Sequence, residues 1–237
     1  TNPACPPDMF AQEVAGLLLL QTPTGPRVPR PFLHGAQFLL LEDLNPAPPA
    51  PGYWAAMGRK LAALHEVHGP AFGGVSDNYL GSKPQPNPST ADGFEFFAEH
   101  RLGYQAARAC RHGLLTPSDE RLVMRLAARL PDLVPVQPPS LVHGDLWSGN
   151  FLRDEHGQPA VVDPAAHYGW AEADLAMTAL FGAPPEEFYA SYCEARPLPA
   201  GWRARFPIYQ VYHLLNHLNL FGGGYYGQAL AAVRQFA

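Results

Sequence analysis

The stretch from Leu141 to Leu152 reads LVHGDLWSGNFL, and VVDPA follows at Val161 to Ala165. The first stretch opens on a short apolar run that predicts a strand at 141–142. Residues 151–163, FLRDEHGQPAVVD, predict two further short strands joined by a His-Gly turn. This arrangement would bring Asp145, Asn150 and Asp163 together as one constellation.

These three side chains are of the type that phosphoryl transfer requires. The reaction needs a carboxylate near the incoming hydroxyl and hard oxygen ligands for Mg²⁺ on the phosphates. The interval from Asp145 to Asn150 equals that of a kinase catalytic loop, and Asp163 supplies a second metal carboxylate. The alternative is that all three are turn residues that cap loops. Three ligands at workable intervals favour the phosphoryl-transfer site.

The composition restricts the class of protein. The 237 residues are 47% hydrophobic, which is enough for a large core, and the formal charge of -5 argues against nucleic-acid or membrane partners. The start TNPACPPDMF has no signal-peptide pattern, and no apolar run reaches about 18 residues, so we expect a cytoplasmic protein. The three widely spaced cysteines predict reduced thiols rather than a disulfide framework or a zinc site.

Periodicity predicts an α+β fold of two lobes around a cleft. Residues 6–21 have helical spacing, and residues 37–44 (QFLLLEDL) predict a strand that leads into a Pro-rich linker. Residues 69–90 are expected to form a long loop. Further helices are expected at 53–68, 91–112, 118–130 (capped by Ser118), 171–181, 186–195, 202–221 and near the C-terminus. We place the N-lobe and its hinge in 1–44, and the mainly helical C-lobe in 45–237.

The chain resembles the fructosamine (ketosamine) kinase family from Glu13 nearly to its end. The segments that carry the resemblance are HGDLWSGN, DPA, EADLAMTALFG, YQVYHLLNHLNLFGGGYYG, DNYLGSKPQPN and EFFAEHRL. The resemblance implies a protein-kinase-like bilobal fold. It also implies transfer of the ATP γ-phosphate to a sugar hydroxyl of a ketosamine, either a small molecule or a glycated protein.

Roles can be carried over from this resemblance to matching positions. Asp145 matches the general base, and Asn150 and Asp163 match the Mg²⁺ ligands. Glu13 matches the helix glutamate that positions an ATP-binding lysine. The adenine-binding hinge corresponds to Glu42, Asp43 and Leu44. Asp174 resembles the helix aspartate that holds the backbone of the catalytic loop.

The chain departs from the family pattern ahead of Glu13, where such kinases have a glycine-rich loop and a strand lysine. Lys60 and Lys83 are the lysines of this sequence, and neither lies at the required position. We therefore expect a preceding N-terminal segment that carries both features.

The acceptor side of the cleft is assigned to four aromatic residues. The ring of Trp147 would form a wall for the sugar. His213 and His217 lie four residues apart and would line the cleft, pack in the core or bind zinc. Trp202 would either line the cleft or pack in the core. Gly222 to Gly224 are interpreted as a helix end and turn, and residues 78–87 would gate the acceptor or brace the lobes.

Two other functions are compatible with the same sequence motifs. A non-catalytic nucleotide-binding module would explain the lack of the lysine. An aminoglycoside kinase or another small-alcohol kinase would share the base and the metal ligands but differ in its acceptor pocket.

Overall fold

The computed structural model describes residues 5–74 and 76–237 and has the expected α+β, two-lobe architecture. The small lobe comprises helix α1 (Met9–Leu20) and strands β1 (Pro31–Gly35) and β2 (Phe38–Leu41), which pair antiparallel in a hairpin. Helix α1 forms where periodicity predicts it, because Leu17 and Leu20 fall on one buried face. Strand β1 was not predicted. It follows a Pro-rich stretch whose composition resembles a loop.

The larger lobe is mainly helical and contains most of the core. Its helices are α2 (Tyr53–His65), α3 (Gly93–Phe97), α4 (Tyr104–Arg111), α5 (Pro117–Ala128), α6 (Leu130–Leu133), α7 (Ala171–Thr178), α8 (Glu186–Ala195), α9 (Phe206–Phe221) and α10 (Tyr226–Arg234). A π-helical segment, Ala98–Gly103, joins α3 to α4. Gly58 of α2 lies so close to α8 that an added Cβ would be 2.2 Å from the Phe188 carbonyl oxygen. The two helices therefore pack with their backbones nearly in contact.

Two expectations about this lobe are wrong in detail. The predicted loop 69–90 contains a hairpin of β3 (Asn78–Leu80) and β4 (Lys83–Gln85), which buried side-chain amides stabilise. The cap of α5 is Thr116 rather than Ser118. Thr116 and Asp119 form a reciprocal capping box, so the helix begins one residue earlier, at Pro117.

Two further antiparallel strand pairs position the polar motif. Strand β5 (Ser140–Val142) pairs antiparallel with β8 (His167–Gly169), and β6 (Phe151–Arg153) pairs with β7 (Pro159–Val161), as the sequence predicts for the latter pair. Val142 at the end of β5 is the partner of His167 at the start of β8. The residues after β5 and the residues before β8 are therefore neighbours, which brings the loops of Asp145 and Asp163 together.

Gly222 adopts a positive φ of 86° at the end of α9 and leads into a 3-10 turn, as expected for a helix end. Within the described residues, no helix combines the length and apolarity that crossing a membrane requires.

Candidate active site

The loop that carries Asp145 is fixed by a buried carboxylate from α7. Asp174 is 2% exposed and accepts hydrogen bonds from the backbone nitrogens of His143 (2.6 Å) and Gly144 (2.8 Å). Its Oδ2 also lies 3.2 Å from Nε2 of buried His65. The expectation that Asp174 holds the loop backbone is confirmed. A buried carboxylate with several donors is a strong anchor, because each bond to a charged group exceeds one between neutral groups.

His143 and Asn150 connect the two polar loops. The backbone nitrogen of Asp145 donates to His143 Nδ1 at 3.3 Å, and His143 Nε2 lies 3.0 Å from the Val162 carbonyl oxygen. This pattern requires the neutral ring with its proton on Nε2, and burial lowers the pKa of His143 accordingly. Asn150 Nδ2 donates to the Asp145 carbonyl oxygen at 2.8 Å. The position of Asp145 is thus coupled to the segment that follows β7 and contains Asp163.

Gly144 is required at its position for two reasons. Its φ of 84° is unfavourable for residues with a Cβ, and an added Cβ would lie 2.2 Å from the carbonyl oxygen of Ala165. Asp163 itself has a φ of 58°, which residues other than glycine rarely adopt. The backbone is therefore constrained on both sides of the contact between the loops.

A narrow acidic cavity lies between α1 and these loops. Glu13, Asp145 and Asp163 all line it. Burial and the negative charge of Asp163 raise the pKa of Glu13 to about 7. Burial, Asp163 and Asp174 raise the pKa of Asp145 to about 8. The charged groups that shift these pKa values are all carboxylates, so a bound cation would relieve their repulsion.

The residues present fit a divalent metal that is completed by other ligands. Asp163 is exposed, and Asn150 uses its nitrogen for the loop backbone, which leaves Oδ1 as an oxygen ligand. Across residues 5–74 and 76–237, no three His, Cys, Asp or Glu side chains form a metal-binding group. A metal bound here would therefore be completed by the Asn150 carboxamide, water and phosphate oxygens, which are ligands that Mg²⁺ commonly uses.

A second cavity of about 490 Å³ adjoins the first. Asp145 and Asp163 form its polar end and line both cavities. Trp147, two residues after Asp145, also lines the cavity. The remaining lining is largely apolar and forms an aromatic end that includes Met177, Phe181, His217, Leu220, Phe221 and Tyr225. A cavity of this volume accommodates a small organic molecule, with its polar part facing the carboxylates.

His217 lies at the centre of the aromatic end. Its ring centroid is 4.9 Å from that of Phe181, 5.1 Å from Tyr225 and 5.4 Å from Phe221. Nδ1 lies 2.8 Å from the His213 carbonyl oxygen, and burial lowers the pKa of His217. The neutral ring with its proton on Nδ1 fits this contact, so Nε2 is left as an acceptor.

The other predicted acceptor residues do not line this cavity. His213 is 5% exposed and lines a separate, small cavity beside Asp174, where its Nδ1 has no hydrogen-bond partner among the residues that the structure describes. Trp202 packs against Tyr189 and Phe206, with ring centroids at 5.7 and 5.3 Å. The structure therefore brings Trp147 and His217 to Asp145 and separates His213 and Trp202 from it.

The predicted hinge residues also lie outside both cavities. Glu42 pairs with Arg27 at 2.8 Å and accepts from the backbone nitrogen of Arg30 at 3.1 Å. Asp43 caps the nitrogen of Asn45, and Leu44 is buried. In the structure, these contacts connect the residues after strand β2 to Arg27, Arg30 and Asn45.

Sequence reasoning did not single out several residues that line the site. Phe181, Phe221 and Tyr225 belong to segments that carried the family resemblance, ALFG and FGGGYYG, yet no local pattern separates a cavity residue from an exposed one there. Gly81 lines both cavities from the β3–β4 turn, where its φ of 60° favours glycine.

Comparison with known proteins gives one consistent result. The fructosamine kinase family model matches residues 1–237. A Synechocystis protein assigned as a ketoamine kinase is 45% identical, over 96% of this chain and 78% of its own length. The chloroplastic protein-ribulosamine 3-kinase of Oryza sativa subsp. japonica is 36% identical, over 100% of this chain and 71% of its own.

Solved structures agree with these relatives. A crystal structure from Thermobifida fusca, assigned as a fructosamine-3-kinase, has a TM-score of 0.90 and 38% identity and covers 97% of this chain and 80% of that one. The choline kinase LicA from Streptococcus pneumoniae, at 16% identity, covers 96% and 81% with a TM-score of 0.61, which shows a shared fold only. The match along the whole chain, together with the two cavities that meet at Asp145 and Asp163, shows that this chain belongs to the fructosamine kinase family.

Proposed function

We propose that this chain transfers the γ-phosphate of ATP to a sugar hydroxyl of a ketosamine, with Mg²⁺ on the phosphates. The observation that carries the proposal is the position of Asp145 and Asp163 between an acidic cavity and a largely aromatic one. A phosphate donor and a hydroxyl acceptor that occupied the two cavities would meet at these carboxylates. Reactant positioning of this kind contributes most of the catalysis in phosphoryl transfer.

Asp145 acts as the general base in this proposal. It faces the acceptor cavity, accepts the proton of the attacking hydroxyl and orients its oxygen toward the phosphorus. The backbone nitrogens of His143 and Gly144 donate hydrogen bonds to Asp174, and these bonds hold the loop that carries the Asp145 carboxylate in place. The Mg²⁺ ion, held by Asp163 and Asn150 Oδ1, would neutralise the charge of the phosphate oxygens.

The aromatic end of the second cavity binds the part of the acceptor remote from the reacting hydroxyl. Trp147 is 39% exposed and contributes a flat wall next to Asp145. His217 presents Nε2 as a hydrogen-bond acceptor among Phe181, Phe221 and Tyr225. An amine substituent of a ketosamine would pack on these rings, because its carbon skeleton is apolar and its nitrogen carries a donor.

Glu13 faces the nucleotide side, where it would position a lysine that binds the ATP phosphates. The assignments of Glu42, Asp43 and Leu44 to the adenine site, of His213 and Trp202 to the acceptor site, and of the lobe boundary at residues 44 and 45 remain predictions. So does a cytoplasmic location.

The test is a phosphorylation assay on the full-length protein with ATP, Mg²⁺ and either a fructosyl or a ribulosyl derivative of lysine. We expect a sugar-phosphate product by mass spectrometry, and a decrease in kcat of about 10³-fold in Asp145→Asn, since a positioned base contributes roughly 10²–10⁴-fold. Asp132→Asn is the matched control, because Asp132 is exposed and lines neither cavity.

Two results would contradict the proposal. Phosphorylation of an aminoglycoside or choline in preference to both ketosamines would indicate a different acceptor. Binding of ATP without any ADP release would indicate a nucleotide-binding module.

A further inference from the structure

The β3–β4 hairpin contains a group of buried side-chain amides that no step of the proposed reaction uses. Asn78, Gln85 and Asn87 are 7%, 0% and 4% exposed. Gln85 Nε2 and Asn87 Nδ2 both donate to Asn78 Oδ1, at 2.7 and 3.0 Å. Polar groups this deeply buried are costly unless they are fully hydrogen-bonded, so a network of three amides is a feature that requires an explanation.

Two of these amides bind the backbone directly after Asp163. Gln85 Nε2 donates to the carbonyl oxygen of Ala165 at 3.2 Å, and Asn78 Nδ2 donates to that of Ala166 at 3.0 Å. Asp163 has a φ of 58°, which an aspartate keeps only where the surrounding structure holds it. The hairpin supplies such restraints two and three residues beyond the metal carboxylate.

Gln85 is oriented by partners on both sides of its amide. Its nitrogen donates to Asn78 and Ala165, and its oxygen accepts from the hydroxyl of Tyr212 on α9. Rotation of the amide by 180° would place two oxygens against each other at Ala165. The amide therefore has one orientation, and its position is linked to the helix that carries His217.

The outer side of the same hairpin region reaches α1. The Tyr79 hydroxyl donates to Asp8 Oδ1 at 2.6 Å, and Ser76 Oγ donates to Gln12 Oε1 at 2.7 Å. Asp8 lies five residues before Glu13, and Gln12 directly precedes Glu13. The turn residue Gly81 lines both cavities. One short hairpin therefore contacts the helix of Glu13, the segment of Asp163 and the acceptor side.

We propose that the β3–β4 hairpin positions Asp163 for metal binding and that Gln85 is the principal positioning residue. This inference rests on the proposed role of Asp163 as a metal ligand. It assigns to residues 76–87 a function in phosphate-metal geometry, in addition to the bracing of the lobes that the sequence suggested.

The experiment compares Gln85→Met with Gln105→Met in the full-length protein. Gln105 is also fully buried, donates to Asn216 and accepts from Asn219 at 2.8 Å, and its hydrogen bonds do not reach residues 163–166. Methionine preserves the length of the side chain in both variants and removes its hydrogen bonds. Thermal unfolding of both variants is measured first, so that any difference in metal binding can be compared with the difference in stability.

Two readouts do not require turnover. Binding of Mn²⁺ in the presence of ADP is followed by electron paramagnetic resonance, and exchange of the backbone amides of residues 163–169 is followed by mass spectrometry. We expect Gln85→Met to weaken Mn²⁺ binding about tenfold and to speed exchange in this segment about tenfold, because Asp163 then samples other backbone conformations. Gln105→Met should change neither. The metal concentration that half-saturates phosphorylation should rise in parallel.

The inference is overturned if both variants lose similar stability and bind Mn²⁺ equally well, since Gln85 would then be an ordinary core residue. If Gln85→Met does not fold, Tyr212→Phe gives the decision, because it keeps the ring and removes one hydrogen bond to Gln85. We expect about threefold weaker Mn²⁺ binding in that variant, and unchanged binding overturns the proposal. Absence of ketosamine phosphorylation would refute the proposed function and leave the Mn²⁺ and exchange results interpretable.

Discussion

Two regions line the same cavity: the loop that carries Asp145 and the aromatic end. They differ in how their residues are held. In the loop, Asp174 and His143 are 2% and 0% exposed and bind the backbone through directional hydrogen bonds. At the aromatic end, Phe221 is 66% and Phe181 36% exposed, and both contact His217 through their rings.

The difference follows from what each region has to do. In the proposed function, the loop holds a general base and metal ligands, which must be fixed within a fraction of an ångström. Buried polar networks achieve this because each group has a fixed set of partners. An apolar surface that binds part of an acceptor needs area and shape more than a fixed orientation. Substitutions should therefore affect stability and kcat in the loop, and KM at the aromatic end.

The largest expected effect is that of Asp174→Ala. The substitution leaves the backbone nitrogens of His143 and Gly144 and the ring of His65 without their acceptor. We expect the free energy of unfolding to fall by about 4 kcal/mol, in the range found when one partner of a buried charged network is removed. Urea denaturation measures it, with Asp132→Ala as an exposed control. A loss below about 1 kcal/mol would show that the loop is held mainly by other contacts.

A smaller effect is expected for Gly144→Ala, which tests the contact between the two polar loops. The new Cβ would meet the Ala165 carbonyl oxygen at 2.2 Å, and φ is 84°. We expect about 3 kcal/mol of destabilisation, from roughly 1–2 for the backbone conformation and 1–3 for the overpacking. Residual kcat should also fall.

Gly113→Ala is the matched control for this substitution. Gly113 has a φ of 70°, and nothing lies within 4 Å of an added Cβ. It should lose only the conformational part, about 1 kcal/mol. If the free energy of unfolding fell equally in the two variants, the two polar loops would be able to move apart at little cost. The loop that carries Asp145 would then not be rigid.

The sequence predicted the loop that carries Asp145 better than the aromatic end of the cavity. Asp145, Asn150 and Asp163 lie within 19 residues, so short-range strand and turn patterns sufficed to place them together. The role of Asp174 also followed from a recognisable segment. The amide contacts of the β3–β4 hairpin join Asn78 to Ala166, 88 residues away, and the Pro-rich composition of 69–90 gave no periodicity from which to predict them.

The histidines of α9 show why the rest was not predictable. His213 and His217 lie one turn apart, and helical geometry assigns them to the same face. In the structure His213 is buried beside Asp174, whereas His217 reaches the acceptor cavity among the rings of Phe181, Phe221 and Tyr225. The distinction depends on which other elements pack over each turn of the helix, and periodicity carries no information about that packing.

The smallest stability effect, and the most selective kinetic one, is expected for Phe221→Ala at the aromatic end. Phe221 contacts His217 and Tyr225 with ring centroids at 5.4 and 6.0 Å and is otherwise largely exposed. We expect KM for a ketosamine with an apolar amine substituent to rise about fivefold, because an aromatic contact is worth roughly 1 kcal/mol. The free energy of unfolding should change by no more than about 0.5 kcal/mol, and kcat should stay the same. Phe32→Ala, at a site of similar exposure on β1, should leave the acceptor KM unchanged. A fall in kcat with unchanged KM would place Phe221 with the rigid loop, and the distinction between the two regions would then be wrong.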